Sequence, residues 1–588
     1  MGDFVVWLSK MPVPEAIFQR WTWSSSKTIG VRRSRHTGLG KTEQSGAELV
    51  YIGHGRGERD NRHFPPRNPL ANRLLTSLKL SGTPGLDRHL GPLAGVWVEA
   101  QGRRVWIWRD RFGRHPIQMI RLAQGWAVTT SPDLAARLSS RQIRWSNITA
   151  FIHATETTTD ADVHTDLFRI RPAEVVRFED HQIMERKRWW RPTRQTIDQP
   201  RSRMASLLHQ MGALYGRTPH IIALSAGIDS ATLAALAGRG HPSSEALTFS
   251  DPGSPRDEGP QAGALADHLQ LRWTPFSIRE HWPLSRLDDH RFPLAWGPAA
   301  HPDFAWKMPC HRWLRRRHQT LPIIYGNGSD DVLWIPPKLW LKEQWHRRDW
   351  SNLEKAWAHL GMSDWIRPGL SALVDELELR SFRPLLPRWP SSLPIWQQPQ
   401  RWIHGAEKTG HDRAIPTDLT EHFFQLRVQR LQSWHWERAM RSLAFEARRT
   451  QRAIWTPFLD AQFWELSLSI HPMDLVEEGR QKALLRNAAA HLLPESCLRR
   501  PKMGGFDPLV ERGLADKASP RIYQWFARPQ LGRWPAFDGH AFLRAYEAYR
   551  RGPTNAHPGG YRGSWAIWKT VATEMWLRRR QRVAPPLR

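Results

Sequence analysis

The chain of 588 residues carries 85 lysines and arginines against 56 aspartates and glutamates, a net charge of +29, with 40% hydrophobic residues and two cysteines. That length exceeds what one hydrophobic core supports and predicts two or more domains. The lone pair Cys310 and Cys497 excludes a disulfide framework or a cysteine-built zinc site. No apolar run reaches the ~18–20 residues that span a bilayer, so a cytoplasmic protein without membrane insertion is expected.

Residues 1–8 predict a first strand rather than a signal peptide, because neither a basic start nor a small-residue cleavage site frames them. Short strands follow at 95–100, 105–108 and 125–130, parted by turn residues such as Gln101-Gly102. Ser131 reads as an N-cap, with Pro132 opening a helix over 133–138. A strand pair at 175–178 and 182–184 brackets Glu179-Asp180, and the Pro- and polar-rich stretch 190–200 reads as a linker. Beyond it, apolar helices alternate with brief β runs, the mark of an α/β domain with a parallel sheet. Strands are expected at 221–224, 244–249 and 321–325, a helix at 261–269, and mostly helix from 335 to 585.

The stretch Ile221 to Ser230 carries the most chemistry. An apolar strand runs into Leu224, Ser225, Ala226, Gly227, Ile228, Asp229 and Ser230 and then into the helical run 231–236. Small residues between a strand and a helix N-terminus let backbone N–H groups approach a phosphate, and Asp229 suits a magnesium ion. A plain tight turn, with Asp229 as its helix cap, is the alternative. The arginine runs 315–317 and 578–580, the latter with the composition of a disordered tail, fit either polyanion attraction or surface filler. The 33 tryptophans, many beside Arg or His, fit either a peptide groove or ordinary packing. No zinc finger, RNA-recognition signature or helix-turn-helix supports nucleic-acid binding, which is not expected.

Collinear motifs resemble the asparagine synthetase superfamily. Arg109 to Pro116 resembles its RDRFGxKPLYY segment, 164–173 its TLFxxIxxLPPG turn and Arg188-Trp189-Trp190 its RYW, while Pro132 replaces the acidic residue of a Ser-Glu pair. Ser225 to Ser230 resembles SGGxDS, with Ala226 for one glycine, and Gly326-Asn327-Gly328-Ser329-Asp330-Asp331 resembles GEGADE. Residues 456–460 resemble VPFLD, and Lys482, Leu485-Arg486, Leu493-Pro494 and 500–506 resemble KxLLRxA…LP…RPKxGF.

The resemblance implies an α+β class II glutamine amidotransferase-like domain of stacked antiparallel sheets over 1–195. An α/β pyrophosphate-loop synthetase domain with many helices, like the adenine nucleotide alpha hydrolases, would fill 196–588. Class II amidotransferases use a Cys at the mature N-terminus; residue 2 is Gly, so glutamine hydrolysis is not expected. Relatives with a silent first domain use an amine already on the substrate: β-lactam synthetases and lasso peptide cyclases. The Trp- and Arg-rich middle favours a lasso cyclase, with a precursor peptide as substrate and a leader-binding protein and leader protease as partners.

ATP would sit on Leu224, Ser225, Ala226, Gly227, Asp229, Ser230, Gly326 and Arg500, with magnesium on Asp229 and Asp330. Lys502 matches the catalytic lysine, the alternative being a solvated loop residue. Asn327, which cannot take a proton, stands where relatives carry Glu or Tyr and would orient the substrate. A β-lactam synthetase-like or ammonia-dependent ligase remains open. So does a non-catalytic peptide-binding scaffold, although keeping Asp229, Ser230, Asp330 and Lys502 argues against it.

Overall fold

The computed structural model describes residues 3–15, 21–23, 29–32, 39–44, 47–53, 86, 93–99, 103–155, 157–317, 321–336, 340, 343–344, 347–351, 394–404, 419–477, 480–500, 505–552 and 563–582.

The first strand, Asp3–Ser9, is buried along its whole length, and its period of two decides what each residue touches. Phe4, Val6 and Leu8 face a core shared with Val96, Val98, Val105, Ile107, Val176 and Phe178 of a second sheet. Val5 and Trp7 face the other way, toward Leu134, Leu138, Ile148 and Phe151 of two helices. The result is two packed antiparallel six-stranded sheets, the stacked arrangement expected of an amidotransferase-like domain. One runs in the order Leu167–Arg169, Gln118–Leu122, Gly125–Thr129, Asp3–Ser9, Ile29–Arg32, Thr22–Trp23. The other runs Gln182–Arg188, Glu174–Glu179, Arg104–Trp108, Leu93–Glu99, Ala47–Gly53, Leu39–Gln44. Asp180 and His181 both have positive φ and close the Glu174–Glu179 hairpin in two residues. Ser131 caps the Pro132–Leu138 helix by accepting from Leu134 N, as its sequence predicts.

A five-stranded parallel sheet follows, ordered Arg272–Ser277, Glu245–Ser250, Ile221–Ala223, Ile323–Ile324, Ile454–Trp455. The first strand in sequence lies inside the sheet, between the second and the fourth. The chain therefore reverses its direction of winding there, and the two loops leaving the carboxyl ends of Ile221–Ala223 and Ile323–Ile324 are neighbours at the switch point. The edge strand Ile454–Trp455 escapes sequence reading because two residues show no periodicity.

The stretch 190–200 is an irregular connection from the Gln182–Arg188 strand to the Pro200–Tyr215 helix, held at its start, where Trp190 is buried and donates from Nε1 to Glu465 and Arg191 bonds Gln425. One reading needs correction. The run Arg578–Arg580 is not a loose tail but the last turn of the Trp565–Gln581 helix. Arg578 pairs with Glu574, and Arg579 donates to the Phe292 carbonyl. Guanidinium groups bound to carbonyls and carboxylates hold a basic segment that charge alone would disperse.

Many tryptophans are core residues with a polar handle. Trp402, Trp568 and Trp576 are fully buried, and each indole N–H donates, to Thr570 Oγ1, Ala300 O and Leu294 O. The β-rich and α/β parts are joined by a buried ionic knot. Arg109 Nη1 lies 2.7 Å from Glu437 of the Trp434–Thr450 helix, and Arg441 on the next turn bridges Glu437 at 2.8 Å and Asp162 at 2.6 Å. Arg169 completes it, 3.5 Å from Glu437. Burial alone would raise the Glu437 pKa, but Arg109, Arg441 and Arg169 overcome it and hold the carboxyl at about 2.

Candidate functional site

The Ile221–Ala223 strand is anchored by parallel pairing on both sides, and its exit bends at Ser225–Gly227 into the Ile228–Ala237 helix. Leu224 is buried and its N–H is taken by Leu247 O. The loop is shaped from within. Ser230 Oγ lies 2.9 Å from Ser225 Oγ and accepts from Ser225 N at 3.0 Å, while Gly227 N donates to Ser225 Oγ. Both hydroxyls are therefore committed to fixing the turn. The loop's anion-binding capacity rests on backbone N–H groups and the helix N-terminus. Gly227, not Asp229, is the N-cap residue, so the capping alternative for Asp229 does not describe this helix.

Asp229 instead turns toward the neighbouring loop. Gly326 lies against it: a Cβ there would stand 3.1 Å from Asp229 Cβ, a contact that Asp229 would have to yield to by a few tenths of an ångström. Asn327 is exposed at the rim. Gly328 adopts φ +109°, a conformation open to glycine alone, and turns the chain so that Asp330 begins the short Asp330–Leu333 helix beside Asp229.

Between the two aspartates stands Lys482, 4% exposed. Its ammonium donates to Asp229 Oδ2, lies 2.7 Å from Asp330 Oδ1 and reaches Ser329 Oγ at 3.3 Å. Burial works to lower its pKa, but the charges and hydrogen bonds of Asp229 and Asp330 outweigh burial and hold it above the ordinary lysine value. Lys482 is also a non-glycine residue at φ 64°, ψ 39°, preceding the Ala483–Ala489 helix. Such a left-handed residue costs on the order of 1–2 kcal/mol. The side chain is thus delivered by a strained backbone. Sequence reading placed Lys482 in a motif but gave it no role; nothing local marks a lysine whose partners lie 253 and about 150 positions away.

Asp229 Oδ1 is buried with no hydrogen-bond partner. An orphaned carboxylate oxygen beside a second carboxylate is the donor set a hard divalent cation takes, so these residues fit magnesium. Across the loop, Glu258 faces Ala226 N–H and Arg500; burial raises its pKa while Arg500 and that N–H oppose the rise. Lys502, expected as the catalytic lysine, lies outside the described residues.

Behind the second loop, Tyr325 donates to Glu446, whose carboxylate also meets His311 at 2.6 Å and Lys307 at 3.2 Å. Burial pushes Glu446 up, but Lys307 and these hydrogen bonds bring it to about 2. This closed ionic cluster fixes the end of the Ile323–Ile324 strand, from which the Gly326–Asp330 loop departs.

The sequence profile of the family described as Asparagine synthase matches residues 211–578. Similar solved structures include a glutamine phosphoribosylpyrophosphate (PRPP) amidotransferase from B. subtilis complexed with ADP and GMP, at 13% identity, TM-score 0.19, covering 47% of this chain and 59% of that one. Another is described as the allosteric regulatory enzyme of purine biosynthesis, at 12% identity, TM-score 0.21, covering 51% of this chain and 76% of that one. The present chain thus spans less than two thirds of the first of these. No curated protein matches the chain.

Proposed function

The chain belongs to the asparagine synthase family, whose members are ATP-dependent amide-forming ligases, and from that premise we propose that it is a lasso peptide cyclase. It joins an Asp or Glu side chain of a precursor peptide to that peptide's N-terminal amine. The observation that carries the ligase chemistry is the convergence of Asp229, Asp330 and buried Lys482 at the mouth of the Ser225–Gly227 loop.

A carboxylate does not react with an amine unaided. Its oxygen attacks the α-phosphorus of ATP, the bond to the bridging oxygen breaks, and pyrophosphate leaves. The amine nitrogen then attacks the acyl carbon, AMP departs and the nitrogen loses a proton. Loop N–H groups hold the leaving phosphates, and Lys482 supplies a fixed positive charge beside them. Magnesium, held by Asp229 and Asp330, would neutralise charge on those phosphates. Asn327 stands at the rim to orient the peptide, and Lys502 is retained as the proposed catalytic lysine of the second half-reaction.

The choice of a substrate-borne amine over ammonia from glutamine rests on the thiols. Cys310 and Cys497 are both buried, and burial raises both pKa values, so neither presents a thiolate nucleophile. A leader-binding protein and a leader protease are the proposed partners. The test supplies ATP, magnesium and an acidic precursor peptide. AMP, pyrophosphate and a peptide lighter by one water support the reading. ADP contradicts adenylation, and glutamate formed from glutamine restores an active first domain. Turnover only of a small β-amino acid favours the β-lactam synthetase alternative.

A further inference from the structure

Arg486 belongs to the motif around Lys482, and the loop chemistry gives it no task. Its three guanidinium nitrogens all donate to main-chain carbonyls: Nε to Gln481 at 2.9 Å, Nη1 to Leu498, and Nη2 to Arg500 at 3.1 Å. A guanidinium bonded to neutral carbonyls fixes backbone rather than balancing charge. The bond to Leu498 is an ordinary seal on the last carbonyl of the Glu495–Leu498 helix. The other two bear on the site. Gln481 immediately precedes Lys482, and Arg500 is expected from its motif to contact ATP.

The Gln481 bond acts on Lys482 through the peptide that joins them. The φ angle of Lys482 is the rotation of its N–Cα bond against that planar unit, so a donor on the Gln481 carbonyl fixes the reference for the rotation. On the far side, the Lys482 carbonyl accepts from Leu485 N at 3.0 Å and Arg486 N at 3.1 Å. Both peptide planes around Lys482 Cα are thereby pinned, at the φ 64°, ψ 39° that residues with a side chain avoid. That twist sets where Cβ points, and so where the ammonium arrives. Gln481 adds a second hold. Its side-chain amide donates to Ile335 O at 2.8 Å and accepts from Ile335 N at 3.1 Å, closing on one residue's backbone as a neighbouring strand would. Ile335 follows the Asp330–Leu333 helix. The turn bearing Lys482 is thus bonded to the segment bearing Asp330 on one side and to Arg500 on the other.

We propose that Arg486 and Gln481 are positioning residues for the ligase reaction. They hold Lys482 in its left-handed turn so that its ammonium meets Asp229 and Asp330 beside the leaving phosphates. What Lys482 does there rests on the ligase reading; how it is held does not. Arg486 acts by geometry, because a lysine in its place would keep the charge but could not span three carbonyls.

The first experiment needs no ligand. The full chain is pulsed with acetic anhydride, and acetylation is read residue by residue by mass spectrometry. Buried Lys482 should be protected in the parent and label about tenfold faster in Arg486→Gln and in Gln481→Met. Lys307, held by Asp303 and Glu446 in the other ionic cluster, should not change, which separates local release from loosening of the whole fold. The second experiment is calorimetric titration with inorganic pyrophosphate and magnesium. Lys482→Met, Arg486→Gln, Arg486→Lys and Gln481→Met should each bind about tenfold more weakly. Arg499→Gln, an exposed neighbour paired with Glu495, should stay within about twofold. Placed in the Lys482→Met background, Arg486→Gln or Gln481→Met should weaken binding by less than about twofold further, since both act through the ammonium. Full affinity in Arg486→Lys, additive losses in the double variants, or Lys482 labelling that stays flat or rises in step with Lys307 overturns the assignment. Should Arg486→Gln not fold, Gln481→Met carries both measurements. A parent chain that binds no pyrophosphate, while Lys482 labelling is released as expected, condemns the phosphate reading and not the clamp.

Discussion

Two buried ionic assemblies in this molecule are built from similar parts and left in opposite states. Around Glu437, three arginines and Asp162 close on one another, and all of these side chains are at most 1% exposed. Around Lys482, two aspartates share one ammonium, one of them is half-exposed at 50%, and Asp229 keeps a buried oxygen with no donor. The first joins secondary elements far apart in sequence, and every carboxylate oxygen in it is taken, with only Arg109 Nε left without a partner among the described residues. The second retains unsatisfied charge where two loops meet at a switch point, which is where a ligand completes the set. Saturation separates a charge that holds a fold together from one that waits for a substrate.

The sharpest attempt to break this distinction is Glu437→Gln. Removing the one carboxylate that Arg109 and Arg169 share should cost about 3–5 kcal/mol in denaturant unfolding. The pH dependence has a definite sign. Glu437 sits at about 2 when folded, below its ordinary 4.5, so its contribution of roughly 3 kcal/mol is present above pH 4.5 and lost as pH falls toward 2. Next comes Lys482→Met. ATP–pyrophosphate exchange should fall by about 10²–10³, while unfolding changes by only about 1–2 kcal/mol because Asp330 can turn to water. Magnesium should raise the melting temperature of this variant more than that of the parent chain. A Lys482→Met protein as unstable as Glu437→Gln would erase the contrast.

Gly328→Ala tests the loop between them. At φ +109° a methyl group would lie 2.6 Å from Leu459 Cδ2 and 3.1 Å from the Phe458 backbone. A loss of about 1–3 kcal/mol is expected, with exchange reduced as Asp330 shifts. Smallest is Ser131→Ala, which removes a helix cap in the β-rich part. It should cost about 1 kcal/mol and leave exchange unchanged, as measured on the same preparations.

The strands and turns of the β-rich part were legible wherever alternation or a special turn residue spoke locally, as at Asp3–Ser9 and Ser131, while the turn read at Glu179-Asp180 falls one residue later, at Asp180-His181, because Glu179 still pairs with Gln182. The loop after Ile221–Ala223 was legible for the same reason: an apolar run giving way to small residues has one cheap conformation. The pairing of Lys482 with Asp229 was not, because a salt bridge across most of a domain leaves no periodicity. Nor was the saturation of Glu437, which reads in sequence as one more acid on a helix beside Arg441. Tryptophan's abundance was visible, but only burial distinguished Trp568 and Trp576 in the core from Trp565, 41% exposed.

The order of the parallel sheet has a consequence for how the protein is made. Ile323–Ile324 pairs on one side with Ile221–Ala223 and on the other with Ile454–Trp455, which a ribosome delivers only after another 130 or so residues. Throughout that interval of translation an apolar strand offers an unpaired edge, the kind of surface that nascent chains lose to aggregation. Production of soluble protein should therefore respond to slower synthesis or added chaperone, whatever the finished molecule's stability.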